Sequence, residues 1–287
     1  MSTPSPTPPT WTAPPPDLPN QSFLTVSIIP AGYLDLFEED FFADQAGNQS
    51  TRSVPSLAFL LRNDTTGENV MFDLGLRKVR WGGETCGDGM RVNLKVEKDA
   101  ADVLRTGDVK PEDVQKIVFS HLHWDHVGDV SSFPQAHLYI GPGASPRLKP
   151  NFPFPSHPSP ITELTIPPSP FGAFTHSLDL FSNGTLYILD APGHFPGHIV
   201  AAARVGPGTF VLLGGDCCHC RESYTTSVRQ IPECNHEDVV VARETLGRVR
   251  EHGKRGWCAL LAHETERLGE CPIYPEVLRE FSAVNLA

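Results

Sequence analysis

The stretch Gln115 to Asp129, QKIVFSHLHWDHVGD, limits what this chain can fold into more than any other. Its apolar run Ile117-Val118-Phe119 reads as a buried strand. Directly after it come His121, His123, Asp125 and His126, four residues of metal-ligand type within six positions. Alternate residues of a strand point to the same side, so His121 and His123 can converge on one point at the strand exit. The chain must then turn for Asp125 and His126 to face a second point a few ångströms away, and Gly128 favours such a turn. Burying these side chains without a metal would leave several polar groups unsatisfied, at a few kcal/mol each. Imidazole and carboxylate with no thiolate among them suit zinc, iron or manganese.

The rest of the composition narrows the class. Hydrophobic residues make up 39% of the 287, enough for a core, and no apolar run of 18 residues is present to span a membrane. A net charge of −11, from 23 Lys and Arg against 34 Asp and Glu, repels polyphosphates and argues against nucleic acid as the main partner. The seven cysteines at 86, 217, 218, 220, 234, 258 and 271 have no regular spacing, and reduced thiols in a cytoplasmic protein are expected. Residues 1–22 carry eight prolines with Ser and Thr, without the charged start and apolar stretch of a signal peptide. They are expected to form a disordered tail, with the folded domain spanning 23–287.

Along that domain, LTVSIIPAG from Leu24 reads as a first strand. The acidic and aromatic segment 33–44 is expected to be a lid, an oligomer contact or a short amphipathic helix packed by its phenylalanines. Leu57 to Arg62 and Asn69 to Asp73 flank a turn and predict a hairpin. Apolar residues at Val96, Ala100, Val103 and Leu104 predict a helix within Asn93–Thr106, ended by Gly107. His137 to Ile140 reads as another strand, and Pro142 to Pro170 as an irregular loop, since ten prolines in 29 residues exclude a helix or inner strand. Thr185 to Asp190, Ile199 to Arg204, Thr209 to Leu213 and Cys258 to Ala262 read as strands, and the stripe Val239, Ala242, Leu246, Val249 as a helix. Alternation of strands and helices is the local grammar of an α/β layered domain.

HxHxDH following an apolar strand resembles the signature of the metallo-β-lactamase superfamily, and the likeness extends from Phe23 to about Glu264. It implies an α/β fold, a four-layer αββα sandwich, holding two divalent metal ions, with zinc expected. Carried over residue by residue, it implies that His121, His123 and His194 (in PGHFPGH) hold one ion. Asp125, His126 and His263 would hold the other, and Asp216, at the end of GGD, would bridge them. Asp73 of FDLG would support the metal histidines, and His198 would have a structural role. The chemistry so implied is hydrolysis of a small carbonyl substrate, an ester or lactone, by a metal-bound hydroxide, because zinc lowers the pKa of water to about 7 and polarises a carbonyl. Asp125 is a candidate proton acceptor.

The chain departs from the pattern at two points. The N-acyl-homoserine-lactone lactonases share the paired GHxxGH but place a tyrosine three residues after the bridging aspartate, where this chain has His219. That makes His219 a second catalytic candidate, able to donate a hydrogen bond or protonate a leaving oxygen. The final motif is AHE, so Glu264 stands where the pattern has aspartate. A thioesterase releasing an acyl or polyketide chain from a carrier protein or CoA is the alternative of the same fold. A metal-dependent oxidoreductase is a second.

Overall fold

The computed structural model describes residues 9–63, 65–78, 93–148, 160–226 and 229–277. His157, residues 149–159 of the Pro-rich loop and Cys86 lie outside them.

Two sheets form the body. The first has the order β4-β1-β2-β3-β5-β6-β7, built from β1 (Leu24–Phe37), β2 (Thr51–Asn63), β3 (Glu68–Phe72), β4 (Leu94–Lys95), β5 (Lys116–Val118), β6 (His137–Ile140) and β7 (Ile161–Glu163). The second has the order β12-β11-β10-β9-β8, from β8 (Ser177–Asp179), β9 (Leu186–Asp190), β10 (Ile199–Gly206), β11 (Thr209–Leu213) and β12 (Cys258–Leu260). Strands β3, β5, β6 and β7 run parallel, as do β11 and β12; the other neighbours are antiparallel. Parallel strands are covered on both faces and so read as unbroken apolar runs, which is why Ile117-Val118-Phe119 shows no alternation.

The layers follow from which side chains alternate to which side. Val26, Ile28, Phe59, Leu61 and Phe72 of the first sheet meet Ile188, Ala201, Val211 and Leu213 of the second in the central core. On the far side of the first sheet, Leu60, Ile117 and Leu138 pack with Ala100 and Leu104 of helix α1 (Ala100–Leu104). On the far side of the second, Val200, Leu212 and Ala259 pack with Ala242, Leu246 and Val249 of helix α3 (Val239–Gly253). Two further helices are short: α2 (Arg221–Thr225) and α4 (Arg267–Glu270). Helix, sheet, sheet, helix is the αββα order that the resemblance implies.

Three local expectations change. The helix placed within Asn93–Thr106 is only α1, because Asp99 caps it by accepting from Asp102 N at 3.0 Å, while Leu94–Lys95 pairs with β1 instead. The segment 33–44 is neither lid nor α-helix at its start: β1 continues to Phe37, Leu34 and Leu36 alternating inward with period two, and two short 3-10 turns follow. Phe41 and Phe42 are buried with Leu34, Val54 and Leu76.

The disordered tail expected over residues 1–22 is corrected for 9–22, which lie against the domain. Thr12 N donates to Gly172 O at 2.8 Å, and the Trp11 ring stands 4.8 Å from that of His252. The physical reason is Arg204, whose guanidinium is wholly buried at the end of β10. A buried charge needs partners, and the segment supplies them: Pro15 O accepts from Nη2 at 2.9 Å and the Asp17 carboxylate pairs with Nη1. Proline composition announces the lack of helix here, but not the lack of order.

Replacing Asp17 removes the carboxylate partner of Arg204. Asp17→Ala is expected to lower the unfolding free energy by about 2 kcal/mol, read as a fall in the urea midpoint at unchanged slope. An unchanged midpoint would mean that residues 9–22 contribute nothing to stability.

Candidate metal centre

Strand β5 ends at Val118, between the parallel neighbours β3 and β6, and the histidine-rich turn projects from that carboxyl edge. What fixes the turn is Asp73, the residue after β3. It is buried, in the left-handed conformation at φ 59° that aspartate tolerates better than most residues. Its carboxylate accepts from Ser120 N at 2.7 Å and Ser120 Oγ at 2.7 Å, and meets His126 Nδ1 at 2.9 Å. The resemblance gives Asp73 this supporting place. Gly128 closes the turn at φ 47°, where a Cβ would stand 2.4 Å from that of Leu74. No larger residue fits there.

Seven side chains from four places in the sequence converge. Ligand-type atoms of His121, His123, His194 and Asp216 lie within 4.8 Å of one another, as do those of Asp125, His126 and His263. In the first group His121 Nε2 and His123 Nδ1 are 2.8 Å apart, and His194 Nε2 lies 3.2 and 3.1 Å from them. Asp216 stands between the groups: its Oδ2 is 3.6 Å from His194 Nε2 and 3.2 Å from His126 Nε2, and its Oδ1 is 3.4 Å from His263 Nε2. His263 Nε2 is also 3.5 Å from Asp125 Oδ2. Strand ends carry the later ligands: His194 follows β9, Asp216 follows β11 and His263 follows β12.

The far sides of the His121, His126, His194 and His263 rings are held by the protein. His263 Nδ1 donates to Pro55 O at 2.8 Å, so its lone pair is on Nε2, facing inward. His121 Nδ1 meets Ser120 Oγ at 3.0 Å, and His194 Nδ1 meets His236 Nδ1 at 3.1 Å. Partners of this kind set ring tautomer and orientation in metal sites. His198 is not in either group. Its Nδ1 donates to Ala191 O at 2.9 Å and its Nε2 accepts from Asp216 N at 3.1 Å, so it holds the Asp216 backbone in place.

The electrostatics divide the two groups. Burial pushes His123 down to about 4 and holds His121 and His194 well below the usual imidazole range, with neighbouring imidazoles adding to it. These rings stay neutral and offer lone pairs. Burial acts on His126 and His263 too, but the carboxylates of Asp216, Asp73 and Asp125 around His126, and of Asp216 and Asp125 around His263, raise both. Burial alone would raise Asp216, yet His126, His263 and His219 hold it well below the carboxylate range. The second group is therefore a place where positive charge is favoured.

Three observations show that residues of these two groups could hold a metal ion. His126 Nε2, His263 Nε2 and Asp216 Oδ1 are buried without a hydrogen-bond partner, a costly arrangement unless something else meets them. Three neutral imidazole nitrogens converge to about 3 Å, which is repulsive without a cation. The donors are nitrogen and oxygen only, as zinc, iron and manganese accept.

His219, predicted as a catalytic candidate, lies beside the group with its Nε2 3.2 Å from Asp216 Oδ2. Its Nδ1 donates to the carbonyl of Asp40 at 3.2 Å, and Asn235 Nδ2 donates to the same carbonyl at 2.8 Å. Cys217, Cys218 and Cys220 are buried free thiols, and burial pushes Cys218 well up and Cys220 up. Glu264 is buried in ion pairs with Arg221 Nε at 2.5 Å and Arg267 Nε at 3.0 Å, which fastens the turn carrying His263.

Sequence reasoning missed His236. It is 8% exposed, pressed against His194 and stacked on His219 at 5.9 Å with 19° between planes. Burial pushes it down to about 3. It sits in no motif and follows no strand, so nothing in its spacing marked it.

Comparison with known proteins agrees with this geometry. The family model described as the Metallo-beta-lactamase superfamily matches residues 52–214. A protein of Penicillium brevicompactum named Cytochrome P450 monooxygenase mpaDE is 33% identical over 70% of this chain, which spans about a quarter of that protein's length (26%). Gamma-lactamase FDB1 of Fusarium pseudograminearum is 30% identical over 74% of this chain and 58% of its own. Among solved structures, an N-acyl homoserine lactone hydrolase with N-hexanoyl-L-homoserine bound at its metal centre superposes with a TM-score of 0.70 at 19% identity, covering 90% of this chain and 100% of that one. At such identity the likeness is one of fold. With the model matched over more than half of its length, and the αββα sandwich in place, the chain belongs to the metallo-β-lactamase superfamily.

Proposed function

We propose that this protein is a dinuclear metal-dependent hydrolase that opens a small lactone or ester. The observation that carries the reading is the convergence of seven ligand-type side chains, six of them buried, with three of their inward atoms lacking a hydrogen-bond partner among the described residues. His121, His123 and His194 would hold one ion and Asp125, His126 and His263 the other, with Asp216 between them. Bound zinc would supply an acidified water, of pKa about 7, and a Lewis acid for the carbonyl oxygen.

The protein's own residues do the rest. The Asp125 carboxylate, 7% exposed, takes the proton as the nucleophile adds. It is steadied by Ser56 Oγ, which donates to its backbone carbonyl at 2.6 Å. His219 has its Nδ1–H tied to Asp40, so Nε2 is the one ring atom left to exchange a proton with the leaving oxygen. Phe195 packs at 4.4 Å from the His123 ring, and the Arg147 guanidinium lies 5.2 Å above it.

A lactone is favoured over an open thioester because N-acyl homoserine lactone hydrolases share the fold and two fungal relatives are named gamma-lactamases. Ring opening of a cyclic ester and of a cyclic amide begins with the same addition to a carbonyl, and one centre serves both. No partner beyond a small carbonyl substrate is needed for this chemistry.

The test is proton release at constant pH from a γ-lactone and from an acyl thioester of matched chain length, with chelated and zinc-reloaded protein side by side. Acid release from the lactone, abolished by the chelator and restored by zinc, is expected. Preference for the thioester would replace the reading with acyl release. Silence on both with two ions bound would end it. Asp73→Asn keeps the acceptor for Ser120 N but turns an amide toward His126, and should weaken metal affinity by about 10–100-fold, measured by competition with a chromophoric chelator. His219→Ala should lower kcat by about 100-fold at unchanged metal content; metal loss instead would make it a ligand.

A further inference from the structure

The turn that carries His194 is held by a loop outside every motif. Asp238 N donates to Gly193 O at 2.9 Å and Glu237 N donates to His194 O at 3.2 Å, so residues 237 and 238 lie backbone to backbone on the ligand turn. Thr245 Oγ1, one helical turn or more into α3, donates to Pro192 O at 2.7 Å. Gly193 has φ 120°, and a Cβ there would stand 2.2 Å from Ala242 N, so the turn and the start of α3 touch as closely as backbone allows. His236, immediately before this clamp, is thereby set beside His194.

The two rings meet Nδ1 to Nδ1 at 3.1 Å. One of these nitrogens carries hydrogen and the other a lone pair. For His194 to present a lone pair at Nε2, toward His121 and His123, its hydrogen must sit on Nδ1. His236 must then accept at Nδ1 and carry its own hydrogen on Nε2, a buried atom with no protein partner. The opposite arrangement would put hydrogen on His194 Nε2, aimed at two other imidazole nitrogens.

We infer that His236 is a positioning residue that fixes the tautomer and orientation of His194, and so the affinity of the ion held by His121, His123 and His194. This rests on the metal-centre reading above. It also gives His236 a second contact of consequence, since the same ring is stacked on His219. One buried imidazole thus sets the position of a ligand and of the proton-exchanging group together.

The test is zinc and cobalt binding to the metal-stripped full-length protein, by competition with a chromophoric chelator and by the visible cobalt spectrum. His236→Phe keeps a ring against His219 but removes the acceptor. His236→Asn places an amide oxygen near the position of Nδ1. The Phe variant should bind one of the two ions about 10–100-fold more weakly and show altered cobalt bands, while the Asn variant regains most of the affinity. Thermal melting of the stripped variants checks that both fold, and His236→Leu replaces Phe in the comparison if Phe does not. Wild-type affinity in the Phe or Leu variant overturns the inference, and so does an Asn variant as weak as that variant. Because binding is measured without substrate, wild type that binds two ions yet hydrolyses nothing would end the hydrolase reading alone.

Discussion

The whole arrangement depends on one buried carboxylate. Asp73 leaves β3 in a left-handed conformation and receives the backbone and hydroxyl of Ser120 and the ring of His126. Those bonds join the ends of two neighbouring parallel strands and dictate where the HxHxDH turn begins. A carboxylate with this many partners can be buried without loss, and the same charge orients His126 toward Asp216. The far end of the turn is tied in the same register by backbone bonds, Leu74 N donating to His126 O at 2.8 Å and Gly128 N to Gly75 O at 2.9 Å.

Around that anchor the fold solves a problem of distance. The candidate ligand residues are far apart in sequence, and no single loop could place them all to a fraction of an ångström. Strand ends can, because each is fixed by ladders on one or both sides. His121 follows β5, His194 follows β9, Asp216 follows β11 and His263 follows β12, and the two sheets bring these ends to one edge of the central core. The ion pairs of Glu264 with Arg221 and Arg267, and the bond from Asp216 N to His198, then lock the ends that the ladders leave loose.

How much of this was legible in the sequence depended on whether local chemistry or distant packing set a residue's place. The β2–β3 hairpin, β5, β9 to β11 and α3 carried their periodicity openly, and the four-residue ligand cluster announced itself by density. The later ligands were legible only through the family resemblance, since a lone His194 or His263 at a strand end has no local mark. The order of residues 9–22 was hidden because its cause, a buried guanidinium, lies nearly two hundred residues away at Arg204. The segment 33–44 was misjudged because its acidic residues draw attention while the inward Leu34 and Leu36 determine its conformation. His236 was invisible for the reason that makes it informative: its position comes from backbone bonds between a loop and the His194 turn.

The same geometry bears on how substrates are told apart. The wall beside Asp216 is made by two segments that brace one another: Ala43 N donates to Gln230 O, Arg229 pairs with Asp44, and the carbonyl of Asp40 takes bonds from both His219 and Asn235. In the lactonase pattern a tyrosine from the strand end reaches the substrate directly. Here the equivalent side chain is a histidine whose ring is pinned on one edge by Asp40 and covered on one face by His236. A pinned ring cannot follow the substrate as a phenol on a longer arm does, so the carbonyl must come to it. On the hydrolase reading proposed above, selectivity rests on the braced wall as much as on the ions, and changes to residues 40 and 235 should alter which rings are opened before they alter whether any ring is opened.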